Sequence, residues 1–262
     1  MQYEHITTQY ELEAYGDRIA AAPVIAFDTE FVSVDSYQPD LCLIQVAANG
    51  KLAIIDTKSV DDATPFWELL AEEGHDTIVH AGREEYRFCK RAVGRRPHGL
   101  HDIQIAAGLV GLEYPASLQT LLGKLLGKSV PKGETRTDWR RRPLSRRQIE
   151  YAVLDAAHLV ALRDELIRRL DKLGRRDWLA EEMDAWQTKL EAAEQRKRWR
   201  RVAGLSGLNS RQLAVVREIW SWREKRAEQV NRHAKRVLRD DLVVELGRRR
   251  TADPKRIGAV RG

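Results

Sequence analysis

Short apolar runs recur through the first two thirds of the chain, and their spacing alternates between that of strands and that of helices. VIAFDTEF (24–31), LCLIQVAA (41–48), LAIID (52–56) and TIVHA (77–81) are too short for helices and apolar on both faces of a two-residue repeat. That pattern predicts strands covered on each side. The turn-like ANGK at 48–51 gives the pattern a hairpin-like opening, so a mixed sheet is expected rather than a purely parallel one. Helical spacing appears in DDATPFWELLAEE (61–73), in REEYRFCKRAVG (83–94, stopping at a glycine), around 102–110 and over 117–126. Residues 127–144 hold Pro131, Gly133 and Pro143 and read as irregular.

From Ser145 the spacing predicts one long helix to about Leu173, opened by the capping box Ser145-x-x-Gln148. Its core stripe is Ile149, Val153, Ala156 and Val160. A charged helical stretch follows over 175–201, and AGLSGLNS (203–210) marks a boundary. Beyond it SRQLAVVREIWSWREKRAEQ is helical, with Leu213, Val216, Ile219 and Trp220 on one side. The expected organisation is therefore an α/β domain over 1–175, a helical connector over 176–202 and a small all-α module over 203–262.

A length of 262 residues suits one large domain or a medium and a small one, and 43% hydrophobic content fills an ordinary core. No apolar run reaches the roughly 18 residues of a membrane span. The first twenty residues are mixed in charge and lack the apolar centre of a secretory signal, which predicts a cytoplasmic protein with no membrane partner. The only two cysteines, Cys42 and Cys89, have no CxxC spacing and read as reduced structural thiols. Charge changes the picture more. The chain is +6 overall, yet residues 196–262 carry 20 Lys and Arg against 7 Asp and Glu, a net of +13 set on a body of −7. An acidic body with a basic tail points to a polyanion, nucleic acid first; an Arg-rich solvated helical surface is the alternative.

The candidate chemistry sits where the patterning misbehaves. Asp28 and Glu30 close a core-like strand, with only Thr29 between them, and alternation puts both carboxylates on one face. A solvated surface pair would explain them, but the flanking Phe27 and Phe31 argue against full exposure, and burying two carboxylates with no cation is costly. A bound divalent cation removes the cost. Tyr151 and Asp155, at i and i+4, share a helix face off the core stripe and read either as solvated or as the second half of such a site.

Taken together, FDTEF, IVHAGREEYRF and YAVLD, with LCLIQVA, LHDIQIAAGLVG and KGETRTDWRRRPLSRRQIEYA between them, resemble the DEDD superfamily of 3′–5′ exonucleases. The likeness is to its tyrosine-bearing subgroup, and within it to the ribonuclease D family, over roughly residues 20–175. It implies a ribonuclease H-like fold, a mixed sheet flanked by helices. It implies two divalent cations, Mg²⁺ or Mn²⁺, about 4 Å apart, held by Asp28, Glu30, Glu85 and Asp155, with Tyr151 orienting the attacking water. The substrate implied is the 3′ end of single-stranded RNA such as a tRNA precursor, released as nucleoside 5′-monophosphates by a monomeric enzyme. Lys132, Arg142 and Thr29 are the positions expected at the nucleic acid.

One residue departs from the family pattern. Glu85 stands where the second motif usually has aspartate, which lengthens the reach by about one methylene in a site where Mg²⁺ tolerates little geometric error. Asp102 reads as a helix cap, Trp139 as core packing and His80 as a satisfied histidine. The segment WREKRAEQVNRHAKRVLRDDLV resembles the helicase-and-ribonuclease-D C-terminal domain, a small helical nucleic-acid-binding module that looks incomplete at IGAVRG. A single-stranded DNA exonuclease and an RNA-binding protein with a site weakened at Glu85 are the competing readings.

Overall fold

Six strands form one mixed sheet in the order β1-β4-β3-β2-β5-β6. They are β1 (Glu4–Ile6), β2 (Val24–Val32), β3 (Asp40–Ala48), β4 (Lys51–Asp56), β5 (Asp76–Val79) and β6 (Leu100–Asp102). This computed structural model describes residues 1–129, 137–196 and 198–260. β3 and β4 form the antiparallel hairpin, pairing Leu43 with Asp56 and Ala48 with Lys51. Its two-residue turn needs positive φ at both positions, which Asn49 (51°) and Gly50 (71°) supply. β1 on β4, and β2, β5 and β6 on one another, are parallel.

The helices of the first part are α1 (Gln9–Ile19), α2 (Thr64–Ala71), α3 (Arg83–Val93), α4 (Ile103–Leu109), α5 (Leu118–Leu126), α6 (Arg146–Ala157), α7 (Leu159–Lys172) and α8 (Arg176–Gln195). α1 and the edge strand β1 are absent from the sequence reading, although α1 opens on a full capping box of Thr8 with Glu11 and buries Leu12, Tyr15 and Ile19. The long helix expected over 145–173 is two. His158 takes φ −115° and ψ 0°, closing α6 and opening α7, so the register of the apolar stripe changes at that residue. β5 stops at Val79 rather than at residue 81, because Ala81 turns left-handed at φ 55°. β6 occupies part of what patterning reads as helix around 102.

The chain divides into two compact units, Met1–Val32 with Leu41–Leu190, and Ser33–Asp40 with Glu191 onward. The first buries an apolar core on both sides of the sheet. The second is helical: α9 (Ser210–Gln229), α10 (Ala234–Val237), α11 (Asp240–Arg249) and α12 (Pro254–Gly258), closed around Val202, Val216, Val243 and Val244. Its buried Arg223 bonds Asp240 Oδ1 at 2.7 Å and the Leu238 carbonyl at 3.1 Å. Residues 33–40 belong to this unit, with His233 N–H donating to the Asp35 carbonyl (3.0 Å) and Gln38 N–H to Asn231 Oδ1 (3.0 Å). Among the described residues no helix is long and apolar enough to cross a membrane.

Candidate active site

Pairing of β2 with β5 runs through Ala26 and Ile78, so the far end of β2 projects past β5, and the two faces of that end meet different helices. Phe27, Thr29 and Phe31 share one face. Phe27 meets Phe66 and Trp67 of α2 edge-on, each at 5.8 Å between centroids, and Phe31 meets Phe88 of α3 at 5.6 Å. On the same face the Thr29 hydroxyl donates to Glu85 Oε1 of α3 at 2.5 Å. Asp28 and Glu30 alternate to the other face, and the charge of Asp155 on α6 acts on both, as does that of Glu85. The Tyr151 hydroxyl donates to the Asp155 carboxylate, and its ring stacks on buried Trp139 at 6.2 Å and 30°. Two helices thus reach the end of β2 from opposite faces, α3 with Glu85 and α6 with Tyr151 and Asp155.

The electrostatics record how little these groups like one another. Burial first, then the charges of Glu85, Asp155 and Glu30, push the Asp28 carboxyl well above its ordinary range. Burial followed by Asp155 and Glu85 raises Glu30 to about 8. Burial takes Glu85 to about 7 against the hydrogen bond from Thr29, and takes Asp155 to about 6 against that from Tyr151. The Tyr151 phenol is raised by burial and by the neighbouring carboxylates, so it keeps its proton at neutral pH. All donors are oxygens, and their shared penalty is of the kind a hard divalent cation relieves, so the residues fit one. Among the described residues no three His, Cys, Asp or Glu side chains stand close enough to hold an ion as they are. Charge converges here while, among the described residues, ligand distances do not close.

The turn that launches α3 is fixed from below. Buried Asp102 caps α4 through Gln104 N–H (2.8 Å), as expected, and its carboxylate also takes the N–H groups of Ala81 (3.0 Å) and Gly82 (2.9 Å). This second task was not visible in the sequence, since its partners lie twenty residues away. His80 Nε2 bonds the Ala116 carbonyl at 2.9 Å, a satisfied histidine, and Trp139 is core.

The positions expected at nucleic acid fall differently. Thr29 is only 6% exposed and its hydroxyl is engaged by Glu85. Arg142 has no donor left for a phosphate. Nε and Nη2 grip Asp56 at 2.6 Å each, Nη2 also bonds the Cys42 carbonyl (3.0 Å), and Nη1 bonds those of Trp139 (2.7 Å) and Arg141 (2.9 Å). All five N–H groups are engaged within the protein. The physical reason is local: the carboxylate of Asp56, at the end of β4, is buried and needs a cation. Lys132 lies outside the described residues.

Comparison with known proteins places the chain in a family. Residues 3–171 match the 3′–5′ exonuclease family, and residues 212–262 match the HRDC domain. Ribonuclease D of Acidiphilium cryptum is 36% identical over 264 residues, covering 98% of this chain and 66% of that protein. The crystal structure of Escherichia coli RNase D, described as an exoribonuclease involved in structured RNA processing, superposes with a TM-score of 0.88 at 28% identity, covering 99% of this chain and 69% of that one. Brucella melitensis NrnC with bound Mg²⁺ shares the fold, with a TM-score of 0.62 at 22% identity over 80% of this chain and 98% of that one. The chain spans about two thirds of the length of the curated relatives it matches. With a mixed six-stranded sheet, carboxylates converging on the end of its central strand, and these matches along nearly its whole length, the chain belongs to the ribonuclease D family of 3′–5′ exonucleases.

Proposed function

We propose that the chain is a metal-dependent 3′–5′ exoribonuclease that removes nucleoside 5′-monophosphates from the 3′ ends of single-stranded RNA such as tRNA precursors, acting as a cytoplasmic monomer. The observation that carries this is the convergence of Asp28, Glu30, Glu85 and Asp155 on the end of β2, each raised by burial and the first three also by charged neighbours, with Tyr151 hydrogen-bonded among them. These four carboxylates are the ligands for two divalent cations, Mg²⁺ or Mn²⁺. Bound there, the cations supply the positive charge that stabilises the attacking and leaving oxygens of a phosphodiester.

The residues do the rest. Asp155 holds the Tyr151 hydroxyl, and the stack on Trp139 fixes the ring, so the phenol is presented in one orientation. Being protonated, it offers water a hydrogen bond without adding a fifth negative charge. The nuclease occupies residues 1–175 and the connector 176–202. The basic helices of 203–262, with their likeness to the HRDC domain, hold the RNA backbone electrostatically.

A time course on 5′-labelled single-stranded RNA with Mg²⁺, Mn²⁺ or EDTA, run beside Asp28→Asn, tests this. A descending ladder that needs metal and vanishes in the variant is expected. RNA left intact in both metals yet retarded on a gel overturns the enzymatic reading in favour of a binding protein.

A further inference from the structure

Thr29 stands between two acidic residues yet faces away from both, and what it touches is the third. Its hydroxyl holds Glu85 Oε1 at 2.5 Å, with Thr29 6% and Glu85 5% exposed. Glu85 belongs to α3, on the face of the sheet opposite Tyr151 and Asp155, so its carboxylate comes to the site around the end of β2. Its charge is nonetheless the strongest of any side chain acting on Asp28. A glutamate has three side-chain torsions and would sample several placements. A buried threonine on a strand is stiff at its first torsion and makes a rigid post.

We infer that Thr29 is a positioning residue for the carboxylate cluster: by fixing Oε1 of Glu85 it leaves Oε2 as the oxygen that Glu85 can present to a cation. The inference rests on the proposed reading of the cluster as a metal site. It assigns Thr29 a task other than contact with nucleic acid, and it explains how a glutamate can serve in a position where one methylene changes the reach. The partner cannot be replaced by solvent, because both groups are buried and a lost hydroxyl leaves Oε1 unpaired.

The test is Mn²⁺ binding to the full chain by calorimetry without RNA, comparing wild type with Thr29→Val, Thr29→Ser, Glu85→Gln and the double variant Thr29→Val/Glu85→Gln. Groups that orient metal ligands are worth about 10- to 100-fold in affinity. Thr29→Val is expected to weaken binding about 10-fold, Thr29→Ser to recover most of that loss, and Thr29→Val to add nothing once Glu85 is already glutamine. Thr29→Ala replaces Thr29→Val if the latter does not fold. Unchanged affinity in Thr29→Val, or an equal further loss in the Glu85→Gln background, overturns the assignment while leaving the metal site standing. A wild type that takes up no Mn²⁺ overturns both.

Discussion

Arg142 and Asp56 form a two-point ion pair, Nε to Oδ2 and Nη2 to Oδ1, each 2.6 Å, between the segment that precedes α6 and the last residue of β4. Although burial pushes the other way, the Arg142 hydrogen bonds hold the Asp56 carboxyl below its ordinary range. Removing one partner of a buried pair strands the other charge, at a cost of about 3 kcal/mol. Arg142→Met and Asp56→Asn are therefore expected to lower stability by that order in urea melts. Neither is expected to change the salt dependence of RNA binding. A phosphate contact would lower the slope of log K against log salt by about one, so that slope separates the structural from the RNA-binding account of Arg142.

Asp28 sits where three other carboxylates penalise its charge. Neutralising it removes repulsion from the metal-free protein and a ligand from the working one. Asp28→Asn is expected to raise the metal-free Tm by a few degrees, about 1 kcal/mol for a chain of this size, while reducing cleavage at least about 10³-fold. A site residue whose loss stabilises the fold marks strain kept for function. A lower Tm in the variant contradicts this account of the cluster.

Much of this was legible in the chain. The strands around 24–56 show themselves because central strands need apolar side chains on both faces, and Asp28 and Glu30 stand out because they violate that demand. Tyr151 and Asp155 are four apart on a strongly capped helix and could be paired by periodicity alone. What could not be read depends on tertiary approach. The Thr29–Glu85 bond spans fifty-six residues, the Arg142–Asp56 pair eighty-six. The break at His158 is equally silent, since the apolar spacing continues plausibly across it, and a three-residue strand such as β1 is too short to show any period.

The raised carboxyls fix the direction of their own share of the pH dependence. Glu30 near 8, Glu85 near 7 and Asp155 near 6 all lie above their unfolded values. Between about pH 4.5 and 8 these three groups therefore hold more protons in the folded protein than in the unfolded chain, and their contribution to stability falls as pH rises. His75, His80, His101 and His158, held below their ordinary range by burial, contribute the opposite slope up to about pH 6.5. The Tm that metal-free Glu30→Gln gains over the wild type is expected to grow steadily from pH 5 to pH 8, a difference in which the histidines cancel. Stabilisation by added Mn²⁺ is expected to grow over the same interval, as the ligands ionise. Thermal melts of both proteins with Mn²⁺ or EDTA at each pH check both trends; a metal-free difference that shrinks from pH 5 to pH 8 contradicts the shift assigned to Glu30.

Gly82 caps α3 where the chain leaves Val79, and a Cβ there would lie 2.2 Å from Val79 Cγ2 and 2.7 Å from Val79 Cβ. The second atom is not the free end of a flexible side chain, so Gly82→Ala must displace the start of α3, and Glu85 with it. Overpacking of this kind costs about 1–3 kcal/mol, and a shift of even about 1 Å in a reacting group can cost 10²-fold in rate. Gly82→Ala is thus expected to lose cleavage out of proportion to its stability, at temperatures where it is fully folded. Val79→Ala alone opens a cavity in the core and is destabilising. Combined with Gly82→Ala, the new methyl takes up part of the space that Val79 vacates, so the double variant should be less destabilised than the sum of the two and should regain part of the lost rate. Urea melts and single-turnover cleavage of all three variants measure the coupling. Strict additivity in both would mean that the Val79–Gly82 contact does not set the position of Glu85.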